Sequence, residues 1–212
     1  MGVGDFDYAG ERAYYARPVT EVRDWRWLAK DLARWVPNFP KVFDGKFVLD
    51  IGAGECLMTF VIAEMGHPNM VVALELILHR MLAASKVKMS GLVLVCGDCL
   101  NLPFSDCSFD IVVGNGILHH LPIDDATAEI ARVLKPGGLF LGREPNFLNP
   151  FVRRIVLGRH HSPNERALMP SEIKAAFAKR GLVIKLGYFW RRIPWLGHPR
   201  LAVSLKIMAM KP

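Results

Sequence analysis

The chain lacks any apolar run long enough to cross a membrane. It has 212 residues, about half of them apolar. No uninterrupted stretch approaches the roughly 18–20 apolar residues that a membrane-spanning helix requires. The first residues, Met1 to Glu11, are acidic and rich in glycine, without the basic and then apolar segments of a secretion signal. We therefore expect a cytoplasmic, globular protein whose length fits one domain with a large core.

Cysteine is scarce as well, and a disulfide scaffold would be smaller and denser in it. Cys96 and Cys99 have CxxC spacing, but a zinc site would need a second pair of ligands. A redox CxxC normally opens a helix, whereas this one ends an apolar strand. We therefore predict no metal site. We expect reduced, packed thiols at all four positions, which are Cys56, Cys96, Cys99 and Cys107.

Acidic residues are rare in the last third of the chain. Residues 150–212 contain 13 Lys and Arg but only 2 Asp and Glu, whereas residues 1–149 contain 14 and 18. This asymmetry indicates either an anionic partner on the C-terminal side or a basic face in contact with water. The sequence leaves both alternatives open.

Short apolar runs alternate with stretches of helical length. The runs are rich in Val, Leu and Ile without clean alternation, which is typical of strands buried on both faces of a parallel sheet. Their order predicts right-handed crossovers and an α/β fold with a doubly wound sheet. The predicted strands are 46–51, 70–74, 92–96, 109–113, 139–142, 182–188 and 203–210, and the predicted helices are 19–36, 55–65, 77–88, 124–134 and 171–180.

A glycine turn follows the first predicted strand, in the segment from Asp50 to Gly54. Glycine permits a sharp turn and close backbone approach to a ligand, and the next helix offers free N–H groups. A dinucleotide fingerprint would have a third glycine where this chain has Leu57. A pyrophosphate would also be repelled by Asp50 and Glu55. The turn therefore favours a ligand that carries positive charge.

Polar residues also end the next strands. Glu75 ends the second strand, where an acid can accept both hydroxyls of a ribose. Asp98 ends the third and can accept a hydrogen bond from an adenine amino group, and Asn115-Gly116 follows the fourth. These positions share the carboxyl edge of the sheet, where open α/β sheets place ligands. Together they predict one nucleoside-like site.

The ordered motifs VLDIGAG, Glu75, GDCLNLPF, FDIVVGNGILHHL and RVLKPGG resemble those of the class I S-adenosylmethionine-dependent methyltransferases, over residues 46–144. The resemblance implies seven strands, the last one antiparallel and inserted beside the fifth. It implies S-adenosylmethionine as the cofactor. The residues it assigns to the cofactor are Asp50, Gly52, Ala53 and Gly54 at the methionine end, Glu75 at the ribose, Asp98 and Cys99 at the adenine, Leu76 and Leu100 around the purine, and Asn115 with Gly116 at the methionine amino group.

Two features of the motifs affect the chemistry. The family loop usually has a third glycine where this chain has Cys56, which puts cofactor affinity in question. His119 and His120 follow the fourth strand near the expected methyl group, and either could position the acceptor or act as a general base. In-line transfer from a sulfonium requires a base only if the acceptor must lose a proton.

The acceptor side is expected in the least family-like segments. We expect one domain over residues 1–212, with an N-terminal helical cap (1–43), a cofactor-binding core (44–144), an acceptor-side insertion (145–169), and a C-terminal helix and strand hairpin (170–212). The candidate acceptor-side residues are Tyr14, Tyr15, Arg17, Glu144 and Asn146.

Residues 149–159 predict a short, basic amphipathic helix, with Phe151, Val152, Ile155 and Val156 on one face and arginines around it. It could pack as core, close over an acceptor, or dock on an anionic membrane. The acceptor is expected to be a small or lipid-like, and in one reading anionic, molecule. The oligomeric state is not predicted.

The sequence supports three other functions less well. Aromatic and basic residues alternate at Trp190-Arg191-Arg192 and Trp195, which is one pattern of nucleic-acid binding. However, no RNA-binding module is present and Asn115 to Leu118 is not an N-P-P-Y-like tetrapeptide, so a nucleic-acid partner and an RNA methyltransferase are disfavoured. A nicotinamide oxidoreductase would need a glycine-rich loop that binds the pyrophosphate of its cofactor, and Leu57 and Asp50 argue against such a loop. A non-catalytic S-adenosylmethionine-binding protein stays open.

Overall fold

The structure, a computed structural model, describes residues 6–16, 24–159, 162–189 and 199–212. Within these ranges a single seven-stranded sheet carries helices on both faces. No described helix combines the length and the apolar character needed to cross a membrane. The strands are β1 (Phe47–Ile51), β2 (Met70–Glu75), β3 (Leu92–Cys96), β4 (Phe109–Asn115), β5 (Leu134–Pro145), β6 (Val183–Phe189) and β7 (Ser204–Met210), and the helices are α1 (Tyr8–Tyr14), α2 (Trp27–Trp35), α3 (Leu57–Met65), α4 (Leu78–Met81), α5 (Ile123–Val133), α6 (Pro150–Arg159) and α7 (Pro170–Lys179).

The strand order in the sheet is β3-β2-β1-β4-β5-β7-β6. β1 is central and pairs in parallel with β2 and β4, so that Asp50 lies beside Ala73 on one side and Val113 on the other. β7 runs antiparallel between β5 and β6. The prediction of a doubly wound, mostly parallel seven-stranded sheet with the last strand antiparallel beside the fifth is confirmed.

Consecutive residues of the central strand point to opposite faces of the sheet and pack in different cores, as the period of a β-strand requires. Leu49 packs in a cluster that includes residues of α5 and α7, among them Ile130 and Phe177. Val48 packs in a second cluster that includes Leu32 of α2 and residues of α3. Both faces of the sheet are therefore covered, which leaves the carboxyl edge as the place where a ligand can reach the strand ends.

Two predicted helices are shorter in the structure. Residues 17–23 lie outside the described residues, and the helix predicted for 19–36 is seen as α2 from Trp27 onward. The helix predicted for 77–88 is wrong as one element, because it is divided into α4 and a 3₁₀ turn at Ala84–Lys86. The hydroxyl of Ser85 donates to the Leu82 carbonyl at 2.8 Å, a local bond that competes with continuation of the helix.

β5 is much longer than the predicted strand at 139–142. It begins at Leu134, which pairs with Phe109, and the pairing shifts register before Leu139 pairs with Ile111. Lys135 stabilises this irregular start because its Nζ donates to Asp110 at 3.0 Å. The Lys-Pro-Gly-Gly segment therefore ends α5, as predicted, but it also forms the beginning of the next strand.

The core on the α7 face should respond strongly to truncation. Phe177 is fully buried, and its ring centroid lies 5.0 Å from that of Phe140. We expect Phe177→Ala to lower the free energy of unfolding by about 3–5 kcal/mol, because the lost burial adds to the cost of a cavity. Phe151→Ala is the matched control, since Phe151 is 72% exposed and should change stability by less than ~0.5 kcal/mol. Urea unfolding measures both, and equal effects would contradict this description of the core.

Candidate functional site

A cavity of about 390 Å³ opens at the carboxyl edge of the sheet, within the size range of small-molecule sites. It lies over the ends of β1, β2 and β4 and is bounded by α1 and α2. Ten of the eleven residues predicted to bind a cofactor are part of the cavity wall. The exception is Leu100, which is buried behind the wall. The predicted residues that line the cavity are Asp50, Gly52, Ala53, Gly54, Glu75, Leu76, Asp98, Cys99, Asn115 and Gly116.

The glycine turn requires residues without a side chain. Gly52 has φ +63°, and a Cβ there would lie 2.5 Å from Ile117 Cδ1, inside van der Waals contact. Gly54 has φ +57°, and its N–H donates to Glu75 Oε2 at 2.8 Å. Cys56 has φ 60° in the same left-handed region and is fully buried. The third loop position therefore keeps a glycine-like backbone, at some strain, with a cysteine in place.

Asp50 is the least satisfied charged group of the cavity. Its side chain is buried, and Oδ2 accepts a hydrogen bond from Thr59 Oγ1 at 2.6 Å. Oδ1 has no hydrogen-bond partner among the described residues. Burial raises the pKa of Asp50 from 3.8 to about 7, with a smaller contribution from the nearby Glu75 carboxylate. A cationic group of a ligand would satisfy Oδ1 and stabilise the ionised form.

Glu75 and Asp98 already accept hydrogen bonds from the protein. Glu75 Oε1 accepts the N–H of Ile77 at 3.1 Å. Asp98 Oδ1 accepts the N–H of Leu100 at 2.8 Å, and its Oδ2 accepts the Tyr8 hydroxyl at 2.7 Å. Each carboxylate oxygen has a second lone pair, so both acids can still accept a hydroxyl or an amino group. The bonds hold the two carboxylates in fixed orientations at the cavity wall.

The end of β4 is tied to α2 through an arginine. Arg143 Nε donates to Asn115 Oδ1 at 3.1 Å, and the Arg143 guanidinium pairs with Asp31. The carbonyl of Arg143 also accepts the N–H of Gly116 at 2.8 Å. These contacts engage both the Asn115 side chain and the Gly116 N–H.

The two adjacent histidines have different surroundings. His119 Nδ1 lies 2.6 Å from Glu144 Oε2, and His119 Nε2 lies 3.7 Å from Glu165 Oε1. Burial opposes protonation of His119, but these two carboxylates outweigh it and raise its pKa from 6.5 to about 9. His120 Nδ1 lies 3.0 Å from Ser162 Oγ. His120 lines the cavity, whereas His119 lies behind it.

The predicted acceptor-side residues are dispersed. Tyr15 lines the cavity, and the guanidinium of Arg80 lies 4.7 Å above its ring. Tyr14 is 38% exposed and is not part of the wall. Arg17 lies outside the described residues.

Glu144 and Asn146 are not part of the cavity wall, and their side chains form hydrogen bonds to backbone groups of the loops behind it. Glu144 Oε1 accepts the N–H groups of Ile117 and Leu118 at 3.0 and 2.9 Å. Asn146 is fully buried, and its Nδ2 donates to the carbonyls of Pro199 and Ala202. Of the four predicted acceptor-side residues that the structure describes, only Tyr15 is part of the cavity wall.

Several wall residues carried no signal in the sequence. Phe6 and Glu11 of the α1 region, and Trp27 and Leu28 of α2, reach the cavity from segments outside the motif-bearing strands. Arg143 could have been found, because it lies near the carboxyl end of β5, like the acids of the neighbouring strands. The helical segments could not, since nothing in their local pattern specifies where they pack.

The thiols are only partly packed. Cys56 and Cys99 are buried, and burial raises the pKa of both, that of Cys56 to about 12. Cys96 and Cys107 are exposed, so the prediction of packed thiols is wrong for these two. Cys96 ends β3 at an edge of the sheet, where no further strand covers it. All four cysteines are free in the structure.

The fold and the cavity define an α/β domain with a nucleoside-type ligand site on its central strands. Residues 49–142 match a family model described as a methyltransferase domain. Over these residues the chain is similar to the class I S-adenosylmethionine-dependent methyltransferases, as its motifs predict.

Relatives with curated names share parts of the chain. It is 46% identical over 68 residues to "2-methoxy-6-polyprenyl-1,4-benzoquinol methylase, mitochondrial" of Mus musculus, which covers 31% of this chain and 21% of the relative. It is 36% identical over 119 residues to "Demethylmenaquinone methyltransferase" of Renibacterium salmoninarum, which covers 56% and 46%. The chain therefore spans less than half the length of these relatives.

Solved structures resemble this one in fold. A complex of the Haloferax volcanii Trm112 methyltransferase activator and a methyltransferase gives a TM-score of 0.71 at 19% identity, covering 95% of this chain and 97% of that one. Phosphoethanolamine N-methyltransferase 2 of Haemonchus contortus, in complex with S-adenosyl-L-methionine, gives 0.67 at 17%, covering 97% and 56%. At these identities the likeness establishes the fold alone.

Asp50 should make stability depend on pH. Its pKa rises on folding from 3.8 to about 7, so the folded state holds the proton more tightly. The Asp50 contribution therefore favours folding most below pH 4, declines as pH rises to 7, and is constant above. Asp50→Asn keeps an acceptor for Thr59, and its unfolding free energy relative to wild type should increase by roughly 2–4 kcal/mol across that window. Urea titrations at several pH values measure the difference, and a constant difference would contradict the assignment.

Proposed function

We propose that the protein is an S-adenosylmethionine-dependent methyltransferase that acts on a small-molecule or lipid-like acceptor. The observation that carries the proposal is Asp50, a buried residue of the cavity wall whose Oδ1 has no hydrogen-bond partner among the described residues. A buried carboxylate requires compensating charge, and the ammonium and sulfonium of this cofactor supply it. A pyrophosphate would add repulsion, which argues against a nicotinamide oxidoreductase.

The wall residues offer a partner for each part of the cofactor. The backbone of Gly52 to Gly54 can approach the methionine end closely, and Asn115 with Gly116 offers backbone groups to its amino group. Glu75 suits the ribose hydroxyls, and Asp98 with Cys99 the adenine. In the proposed arrangement, Leu76 lies against the purine, whereas Leu100, which the resemblance also assigned to it, lies behind the cavity wall.

Methyl transfer from a sulfonium is an in-line displacement, in which the bond to the acceptor forms as the carbon–sulfur bond breaks and its electron pair goes to sulfur. The protein's contribution is to hold the acceptor in line and to exclude water. Tyr15 of the N-terminal segment and Trp27 of α2 border the cavity and suit this role. His120 also lines it and is a candidate to receive an acceptor proton, whereas His119 is not part of the cavity wall.

The names of the relatives support the acceptor class. They refer to a polyprenyl benzoquinol and to demethylmenaquinone, which are ring compounds related to lipid quinones. Arg80 beside Tyr15 would suit a ring with partial negative charge. We propose such an apolar, weakly anionic acceptor, and cytoplasmic location stays a prediction.

Removing the ribose-binding acid should weaken cofactor binding. Calorimetry with S-adenosylmethionine and S-adenosylhomocysteine should show binding to the wild type. Glu75→Ala should raise Kd at least ~tenfold, because hydrogen bonds to a charged group contribute about 1.5–3 kcal/mol. Asp44→Ala is the matched control, since it removes an exposed carboxylate before β1, at the opposite edge of the sheet.

Two results of that experiment would refute the proposal: no binding by the wild type, or equal binding by Glu75→Ala and wild type. Circular dichroism of Glu75→Ala checks the fold, because Glu75 also accepts the Gly54 N–H. Transfer of labelled methyl groups to a pool of quinols then separates an enzyme from a non-catalytic binding protein.

We further propose that α6 docks on an anionic membrane. Its Phe151 and Ile155 are 72% and 63% exposed, and Arg153 and Arg154 beside them are also exposed. Leu201, 45% exposed, lies at the start of the helix, because Asn149 Nδ2 donates to its carbonyl at 3.3 Å. An apolar face bordered by arginines matches the boundary between acyl chains and anionic headgroups. The predicted alternative of core packing does not apply to Phe151 and Ile155.

Vesicle binding should depend on this face. Co-sedimentation with phosphatidylglycerol and phosphatidylcholine vesicles should fall at least ~tenfold for Phe151→Ser with Ile155→Ser, since each side chain contributes about 1.5–3 kcal/mol on burial. Leu78→Ser with Val183→Ser is the control, because these exposed apolar residues lie on other elements. Equal binding by both double variants, or no preference of the wild type for vesicles with phosphatidylglycerol over pure phosphatidylcholine, would contradict the proposal.

A further inference from the structure

Five buried ionisable side chains meet behind the acceptor end of the cavity. They comprise two histidines and three glutamates, and no Lys or Arg among the described residues lies within ion-pair distance of these acids. Even if both imidazoles carried a charge, they would balance only two of the three carboxylates. Buried carboxylates need positive charge nearby, which the two imidazoles supply when they are protonated and a divalent cation would supply when they are neutral. The members are Glu11, His119, His120, Glu144 and Glu165.

Two of the glutamates each direct one oxygen at a histidine. Glu165 Oε2 accepts the N–H of Ser162 at 3.2 Å, and Glu11 Oε2 accepts Asn164 Nδ2 at 3.0 Å. Their other oxygens, both Oε1, face His119 Nε2 at 3.7 Å and His120 Nδ1 at 3.4 Å. These separations exceed the usual hydrogen-bond range. They are close to the roughly 3.4 Å between two ligands of one tetrahedral ion with bonds near 2.1 Å.

The third glutamate fixes the orientation of His119. Glu144 Oε2 lies 2.6 Å from His119 Nδ1, while its Oε1 accepts the N–H groups of Ile117 and Leu118. In the neutral imidazole that would bind a metal ion, a proton on Nδ1 leaves the lone pair on Nε2, on the side of Glu165. A carboxylate behind the remote ring nitrogen is the usual support of a metal-binding histidine.

We propose that His119, His120 and Glu165 bind a divalent transition-metal ion such as Zn²⁺. One ligand atom from each of these three residues lies within 4.8 Å of the others, and all three side chains are buried. Imidazole nitrogens and carboxylate oxygens are ligands that such ions accept. The sequence predicted no metal site because only the cysteine spacing was considered, and this cluster contains no cysteine.

The ion would border the space left for the acceptor, because its ligand His120 lines the cavity. It would favour acceptors with an oxygen ligand, such as a phenolate. That consequence rests on the proposed methyl transfer, whereas ion binding does not. As a ligand, His120 could not also receive a proton, so the metal site and the general base are alternatives for this residue.

Zinc titration of the full chain tests the proposal. The protein, without an affinity tag and stripped with a chelator, is titrated with Zn²⁺ by calorimetry, and Co²⁺ is added separately for its visible spectrum. We expect one ion per chain and a Co²⁺ spectrum typical of nitrogen and oxygen ligands. Glu165→Gln and His119→Gln should each raise the Zn²⁺ Kd by ~100-fold. S-adenosylhomocysteine binding to the same variants reports on the fold and keeps the two proposals separate.

Two control variants locate the ion. His79→Gln changes an exposed histidine of α4, and His160→Gln with His161→Gln changes a pair outside the described residues. Neither should alter Zn²⁺ affinity. The proposal is overturned if the stripped wild type binds no Zn²⁺ or Co²⁺, if Glu165→Gln and His119→Gln bind like wild type, or if the His160 and His161 changes abolish binding.

Discussion

Asp50 places a carboxylate at the end of the central strand, where almost no water reaches it. β1 lies between β2 and β4, so the carboxylate cannot move out of the sheet without breaking the central pairing. Thr59 satisfies one of its oxygens. The other oxygen has no hydrogen-bond partner among the described residues, and burial without a compensating cation raises the pKa of the carboxyl group. Ligand charge, proton uptake and fold stability are therefore linked at this one side chain.

The turn after Asp50 adds a steric requirement to this electrostatic one. Gly52 leaves room for Ile117, and Gly54 turns its N–H toward Glu75. Cys56 shows that the third position tolerates a side chain when the side chain is directed into the core rather than toward the ligand. The family resemblance put cofactor affinity in question at this residue. Because Cys56 is buried, the energetic cost of having a side chain at this position arises from its left-handed backbone conformation.

Local signals predicted most of the site. Glycines and acids at strand ends are neighbours in space because parallel strands end at one edge, so Glu75 and Asp98 could be placed from the sequence alone. The glutamates beside the histidines could not. Glu11 and Glu165 reach His120 and His119 across long stretches of chain, and no periodicity records such contacts. The break after α4 was also missed, since it depends on one side-chain hydrogen bond.

The hydroxyl of Tyr8 on α1 donates to Asp98, and Phe6, Glu11 and Tyr15 from the same segment line the cavity. α1 is also held by Asn164, which bonds Asp7 and Glu11, so the side of the cavity that α1 covers opens only when several bonds break together. For the proposed ligand, the strand ends would then contribute binding strength, while the N-terminal segment would limit how often the occupant is exchanged.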